Sequence, residues 1–351
     1  MAAHSSPPGS SISGALGPGP CHVIVPFAQL LSPVGQEVWR RWGPNDLPHL
    51  RELLATLQPQ PPDLGDEMSL TAPHERVIAR ELGWDVRDGI FPWAAREVAL
   101  QGWGDPTRPW ARITPVHWAL GTEQVRMAPP QTLVLDDAPS RTLFDAVRPL
   151  FESEGFEWHY AGPLSWFTSH PSLDGLPCAS LDRVAGRSVD PWMSQDPRSR
   201  LLRRLQNEVQ MLLYRHPLNE ARESQGLMPV NSFWMSDCGS LPVPQGHLRP
   251  GDEASAAPSQ EQGLRVEEGL RSPALQEDGL AWQEAWKALD DEVFAELVHR
   301  VHRGHPVRLT LCGERGSQTW QLGPTSWLSG GKAWIVRRWR GSGALRGLET
   351  L

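Results

Sequence analysis

Residues 196–239 constrain the fold more than any other stretch. In DPRSRLLRRLQNEVQMLLYRHP, Leu201, Leu205, Val209, Leu212 and Leu213 recur at helical spacing, so one stripe of a long amphipathic helix must be buried. Asp196 suits the cap and Pro197 the first helical turn. Pro217 disfavours helical backbone at His216 and ends the helix there. The continuation, HPLNEARESQGLMPVNSFWMSDCG, sets His216, Asn219, Arg222 and Asn231 among Leu, Met, Val, Phe and Trp. Gly226 suits a left-handed turn. Amides and a guanidinium beside that much apolar surface are costly unless hydrogen-bonded. These residues either tie two parts of the fold together through backbone groups or contact a charged ligand, and a tie is physically sufficient.

Composition excludes several classes. The 351 residues allow one large domain or two ordinary ones, and 39% hydrophobic content supports a buried core over most of the length. Seventeen Trp against two Tyr point to core and interface filling more than to ligand stacking. A net charge of −8 argues against nucleic acid as a partner. Arg337, Arg338, Arg340 and Arg346, interleaved with Trp334 and Trp339, read as a solvated strand face rather than a phosphate patch. Cys21, Cys178, Cys238 and Cys312 form no CxxC pair, which disfavours a zinc ribbon or disulfide scaffold and fits the reducing cytoplasm. No apolar run reaches the roughly 20 residues that span a bilayer, so no membrane partner is expected. MAAHSSPPGSSISGALGPGP lacks a basic and an apolar signal region and reads as a disordered leader, 1–20.

Along the chain, CHVIVPF (21–27) has the look of a buried first strand. NDLPHLRELLATL predicts a helix capped by Asn45 or Asp46, with Leu47, Leu50, Leu53, Leu54 and Leu57 inward. TAPHERVIARELG predicts another, stopped by Gly83. From Trp110 the pattern becomes α+β: ARITPVHWALG and QVRM as strands, a helix capped by Ser140 and stopped by Gly155, then FEWHYAGPLSWF as strands. Residues 242–275, rich in Pro, Gly, Ser and Glu, predict a long mobile loop. WQEAWKALDDEVFAELVHRVHRG predicts one helix with Trp286, Leu289, Val293, Leu297 and Val301 inward; PVRLTLCG, SQTWQL and AWIVRRW predict closing strands.

Familiar chemistry is scarce. No Walker A, GxGxxG after a strand, GxSxG or HExxH occurs. His299, His302 and His305 share helical spacing, but no nearby carboxylate or cysteine completes a ligand set, and they read as a solvated helix end rather than a metal site. Cys312 reads as a buried structural thiol. In SLDRVAGRSVD, Arg183 and Arg187 flank Gly186; they suit either a phosphate or carboxylate ligand, or local pairing with Asp182 and Asp190.

HPLNEARESQGLMPVNSFWMSDCG resembles the corresponding run of archaeal-type cofactor-independent phosphoglycerate mutases. ARITPVHW, the helix after Ser140, FEWHY and SLDRVAGR resemble that family's inserted subdomain in order. The wider chain, through SLTAPHERVIARELG, PVNSFW and LTLCGER, also resembles bacterial RpfE-type regulatory proteins. The resemblance implies an α/β fold: an alkaline-phosphatase-like core sheet flanked by helices, with an inserted α+β subdomain. The expected organisation is leader 1–20, first core part 21–109, insert 110–194, long helix and motif returning to the core 195–241, loop 242–275, and helix with the last core strands 276–351. Active mutases of the family use two divalent metals, a phosphoryl-carrying serine, and Asp/His ligands at strand ends. Here Phe27 and Ala28 stand where the family has an Asp with a Gly, and Cys312-Gly313 where it has Asp-His. Ser69 or Thr71 stands near the nucleophile's place. The resemblance therefore implies a degenerate, non-catalytic protein with no cofactor and no metal, partnered by a protein or a phosphorylated small molecule. The alternatives are a manganese- or magnesium-dependent phosphotransferase with a rearranged site, or an interaction module using exposed Trp. His216, Asn219, Arg222 and Asn231, with Arg183 and Arg187, are the expected ligand-binding or structural polar residues.

Overall fold

The computed structural model describes residues 21–43, 45–84, 87–121, 124–241 and 263–322. The expected leader, the Trp334–Trp339 stretch with its arginines, and residues 242–262 of the expected loop lie outside them. The protein is mixed α/β, and helices flank a central mixed sheet. Two compact units share the chain. One takes Met68–Thr71 and the described part of Asp85–Asp252; the other takes the described parts of Ser10–Glu67, Ala72–Trp84 and Glu253–Leu351.

In the second unit the sheet order is Leu264–Val266, Cys21–Val25, Val307–Cys312, Gly316–Gln321 and Gln58–Pro59, and Asp63–Leu64 also pairs with Gly316–Gln321. Cys21–Val25 is parallel to both neighbours; the remaining pairs are antiparallel. Both central parallel strands are buried almost throughout, as strands covered on both faces are; Val307–Cys312 carries Arg308 and Thr310 between its apolar residues. Leu264–Val266, the turn at Glu268–Leu270 and the helix Arg271–Leu275 correct the expectation of a loop there. A few buried anchors, Leu264, Leu270 and Leu275, hold an otherwise polar segment.

Two helices in this unit begin or bend unexpectedly. The helix Pro48–Thr56 takes its cap from neither Asn45 nor Asp46: Leu47 occupies the N-cap in left-handed backbone without a side-chain cap. Asp290 supplies it instead, accepting the Leu50 N–H at 2.7 Å and the His49 N–H at 3.1 Å. The expected single helix is α-helical over Gly279–Leu289, a π-turn over Asp290–Phe294 and α-helical again over Ala295–His302. The extra residue of the π-turn rotates the buried face, so Leu289 and Asp290 are both buried while Val301 is half-exposed.

The first unit is built on an antiparallel sheet ordered Glu157–Gly162, Ser165–Ser169, Trp110–Val116 and Ser232–Gly239. Leu143, Val147 and Phe151 of the helix Asp137–Glu152 pack with Leu205, Val209 and Leu213 of the helix Arg200–Tyr214 and with Ile113, Trp166 and Phe233 of the sheet. Alternate strand residues Trp110 and Phe167 pack instead with Ala94, Ala95 and Val98 of the helix Trp93–Gln101. This unit therefore extends beyond 110–194 on both sides: Ser232–Gly239 pairs directly with Trp110–Val116, so the 195–241 segment closes this sheet. Ser140 is not a cap. It lies inside its helix, fully buried, donating to Pro163 O (2.7 Å) and accepting from Trp166 Nε1–H (3.2 Å).

Candidate functional sites

The polar motif is gathered around residues 228–231. The long helix ends at Tyr214, and Pro217 then opens a second helix, Pro217–Ser224, that the sequence reading missed. His216 caps it, its Nδ1 accepting the Leu218 N–H at 3.2 Å. From the buried side of that helix Asn219 donates to Leu213 O (2.9 Å) and Val230 O (2.8 Å) and accepts the Val230 N–H (2.9 Å). Arg222 donates from Nε to Met228 O (3.0 Å) and from a terminal nitrogen to Leu133 O. Burial pushes its guanidinium pKa down, against the pull of Asp136. Asn231 pairs with Trp118 as a strand residue would, donating to Trp118 O (2.9 Å) and accepting its N–H (2.7 Å). His117, which carried no signal in the sequence, donates from Nδ1 to Pro229 O (2.8 Å). Gly226 adopts φ 73°. Thus each residue from Met228 to Asn231 is held through its backbone or amide.

Arg183 and Arg187 lie elsewhere in the same unit. Arg183 is buried, donates to Ser69 O (2.9 Å) and stacks 5.0 Å from the Trp192 ring centroid. The Arg187 carbonyl accepts the Met127 N–H at 2.9 Å, beside Gly186 at φ 78°. Ser69 and Thr71 sit on a short segment that Asp88 fixes through the Leu70 and Thr71 N–H groups. Thr71 Oγ1 accepts the Gly89 N–H at 2.8 Å.

The second unit holds the corner where the resemblance implies metal ligands. The Ala28 N–H donates to Cys312 O at 2.7 Å, joining the ends of the two central parallel strands. Phe27 is buried at φ 56°, an uncommon backbone for a bulky residue, and its carbonyl accepts Trp282 Nε1–H at 3.0 Å. Hard divalent cations beside phosphate need several oxygen ligands. Phe27, Ala28 and Gly313 offer none from their side chains. Burial pushes the Cys312 thiol well up, and a soft thiol is a poor ligand for a hard cation. These residues do not fit the implied metal pair.

Among the described residues one group has donor atoms close enough for an ion: His49, Asp290 and Asp291, within 4.8 Å of one another. The helix-capping role of Asp290 accounts for that closeness. The histidines at 299, 302 and 305 are not such a group; His302 meets Glu52 at 2.8 Å.

A polar network that sequence spacing could not reveal crosses the same unit. His22 Nε2 lies 2.7 Å from Thr310 Oγ1, which lies 2.8 Å from Thr319 Oγ1. On its other side His22 Nδ1 is 3.4 Å from Glu81, which Arg308 grips with two hydrogen bonds of 2.8 and 2.9 Å. Burial pushes the His22 imidazole down. Contact with His22, then Arg308, holds Glu81 at about 2 despite the opposing cost of its own burial. The carboxylate–imidazole–hydroxyl order looks like a nucleophile relay, but Thr310 is fully buried, so no substrate reaches it.

Near the motif strand, Cys178, Leu176, Trp192, Leu202, Arg203 and Phe233 help line a cavity of about 60 Å³. Each described Trp is buried or partly buried, Trp39, Trp42, Trp103 and Trp118 among the partly buried ones. No described helix is long and apolar enough to cross a membrane.

No protein-family model matches the chain, and no curated protein matches it in sequence. Among solved structures, the cofactor-independent phosphoglycerate mutase of Thermoplasma acidophilum is similar at 13% identity and TM-score 0.31, covering 87% of this chain and 90% of its own. The PH0037 protein of Pyrococcus horikoshii is similar at 12% identity and TM-score 0.41, covering 88% of each chain. Likeness at this level assigns neither a family nor a role to any residue. The resemblance to RpfE-type regulatory proteins rests on sequence motifs alone.

Proposed function

We propose that this chain is a degenerate, phosphoglycerate-mutase-like protein on an alkaline-phosphatase-like core, with a regulatory or ligand-sensing role in place of catalysis. The supporting observation is the corner joining the first strand to Val307–Cys312, where Phe27, Ala28, Cys312 and Gly313 stand in place of oxygen donors. The 216–231 motif is then a structural tie that outlived the metal site, because its polar groups are directed to backbone carbonyls and amides. The expected partner is a protein or a phosphorylated small molecule, met in the cytoplasm.

The test is turnover by the full chain with manganese or magnesium, using phosphoglycerate isomerisation and hydrolysis of an aryl phosphate. The proposal expects no rate above buffer, and stabilisation by some phosphorylated metabolite or protein without added metal. Metal-dependent turnover that disappears in Ser69→Ala or Thr71→Ala overturns it. A second reading, a metal-dependent phosphotransferase with a rearranged site, draws on the His49, Asp290 and Asp291 group. It predicts metal-dependent activity that Asp291→Asn removes.

A further inference from the structure

We propose that Cys178 and Cys238 form a reversible dithiol–disulfide site, closed by a peroxide-class oxidant. Their sulfurs lie 3.0 Å apart although the residues are 60 positions apart in sequence. A disulfide needs about 2.05 Å, so the remaining closure is about 1 Å. Both side chains are positioned by ordered backbone: the Cys178 N–H is held by Gly89 O at 2.9 Å, and Cys238 belongs to the Ser232–Gly239 strand.

The two thiols are unequal in a way that suits sequential chemistry. Cys238 is fully buried, whereas Cys178 is partly exposed and lines the cavity of about 60 Å³. A water needs about 10–15 Å³ of such space, so there is room beside Cys178 for a molecule the size of hydrogen peroxide. In the first step the Cys178 thiolate attacks one peroxide oxygen and the O–O bond breaks. Sulfur is oxidised to the sulfenic acid, and the departing hydroxide takes a proton to become water. In the second step the Cys238 sulfur attacks the sulfenic sulfur; the S–S bond forms, the S–O bond breaks, and a second water leaves with the thiol proton. The sum is two thiols and one peroxide to one disulfide and two waters. A thiol reductant reverses it. Contact with Cys178 and burial push the Cys238 thiol up, which suits it to the resolving role rather than to first attack.

The experiment treats the reduced full chain with hydrogen peroxide and follows it by alkylation and peptide mass spectrometry. The expected result is loss of two alkylatable thiols, a mass lower by two hydrogens, and a peptide joining Cys178 to Cys238 that dithiothreitol releases. In Cys238→Ser, Cys178 should stop at a sulfenic acid that a cyclic diketone probe captures. In Cys178→Ser, Cys238 should remain alkylatable after unfolding. The inference is overturned if both thiols survive peroxide in the wild type, if the link joins other cysteines, or if Cys178 passes to sulfinic acid with Cys238 still present. The wild-type mapping stands alone if a variant fails to fold.

Discussion

Replacing Asn219 by Ala removes the centre of the motif. Three hydrogen bonds go with the side chain, stranding Val230 O and the Val230 N–H, while Leu213 O still accepts the His216 N–H at 3.1 Å. Val230 is 0% exposed, so bulk water does not reach it in the native packing. A buried group left unpaired costs about 1–3 kcal/mol. The two costs are not additive, because the vacated space can admit one water that satisfies some of them. A loss of about 2–4 kcal/mol follows, a large share of the roughly 5–15 kcal/mol that holds an ordinary domain. Asn219→Asp is the sharper control. It keeps the size and the acceptor for Val230 but turns a second oxygen toward two carbonyls, so at neutral pH it should cost at least as much. Urea unfolding followed by Trp fluorescence measures both, with the slope unchanged. A cost below about 1 kcal/mol for either variant refutes the tie. A residue kept for ligand contact would instead lose binding and leave stability near wild type.

Asp290→Ala should cost about 2 kcal/mol, since the N-terminus of Pro48–Thr56 loses its only observed side-chain acceptor, whereas Asp290→Asn, keeping one oxygen, should cost less; comparable thermal shifts for both would contradict the cap. Glu81 is held at about 2 against an ordinary 4.5, so its contribution is full above about pH 4.5 and is lost as pH falls toward 2. The ceiling is about 3 kcal/mol from the linkage constant, reduced by solvent screening to about 1–2 kcal/mol. The stability gap between wild type and Glu81→Gln should therefore shrink across that window, and a gap independent of pH would exclude the carboxylate as its source. His22, lowered by burial from 6.5, adds a loss of the same sign that begins as pH falls below that value; His22→Gln should remove it from the stability–pH curve, and an unchanged curve would refute it.

Much of the framework was legible because it depends on local patterns. The apolar run at 21–25 announced a buried strand, the pattern at 307–312 announced a closing strand, and the Leu stripes at 50–54 and 205–213 announced packed helices. What stayed hidden depends on distant partners. Asp290 caps a helix 240 positions away, and no spacing rule predicts a cap supplied through space. Ser140 has a capping residue's chemistry but bonds to Pro163 instead, because the strand hairpin brings that carbonyl to it. Leu264–Val266 is too short and too polar in its surroundings to stand out, yet pairing with Cys21–Val25 makes it a strand. At the candidate sites the residue types were readable, but their partners were not. Asn231 pairs with Trp118, Arg183 bonds to Ser69, and Cys178 meets Cys238 only after the chain has folded.

Equilibrium dialysis of the full chain against manganese, with bound metal counted by elemental analysis, tests the proposed loss of the ion site most directly. Retention no greater than that of a denatured control is the predicted result. Stoichiometric manganese that survives exchange into metal-free buffer and shifts the melting temperature would contradict it, and catalysis would have to be restored to the account.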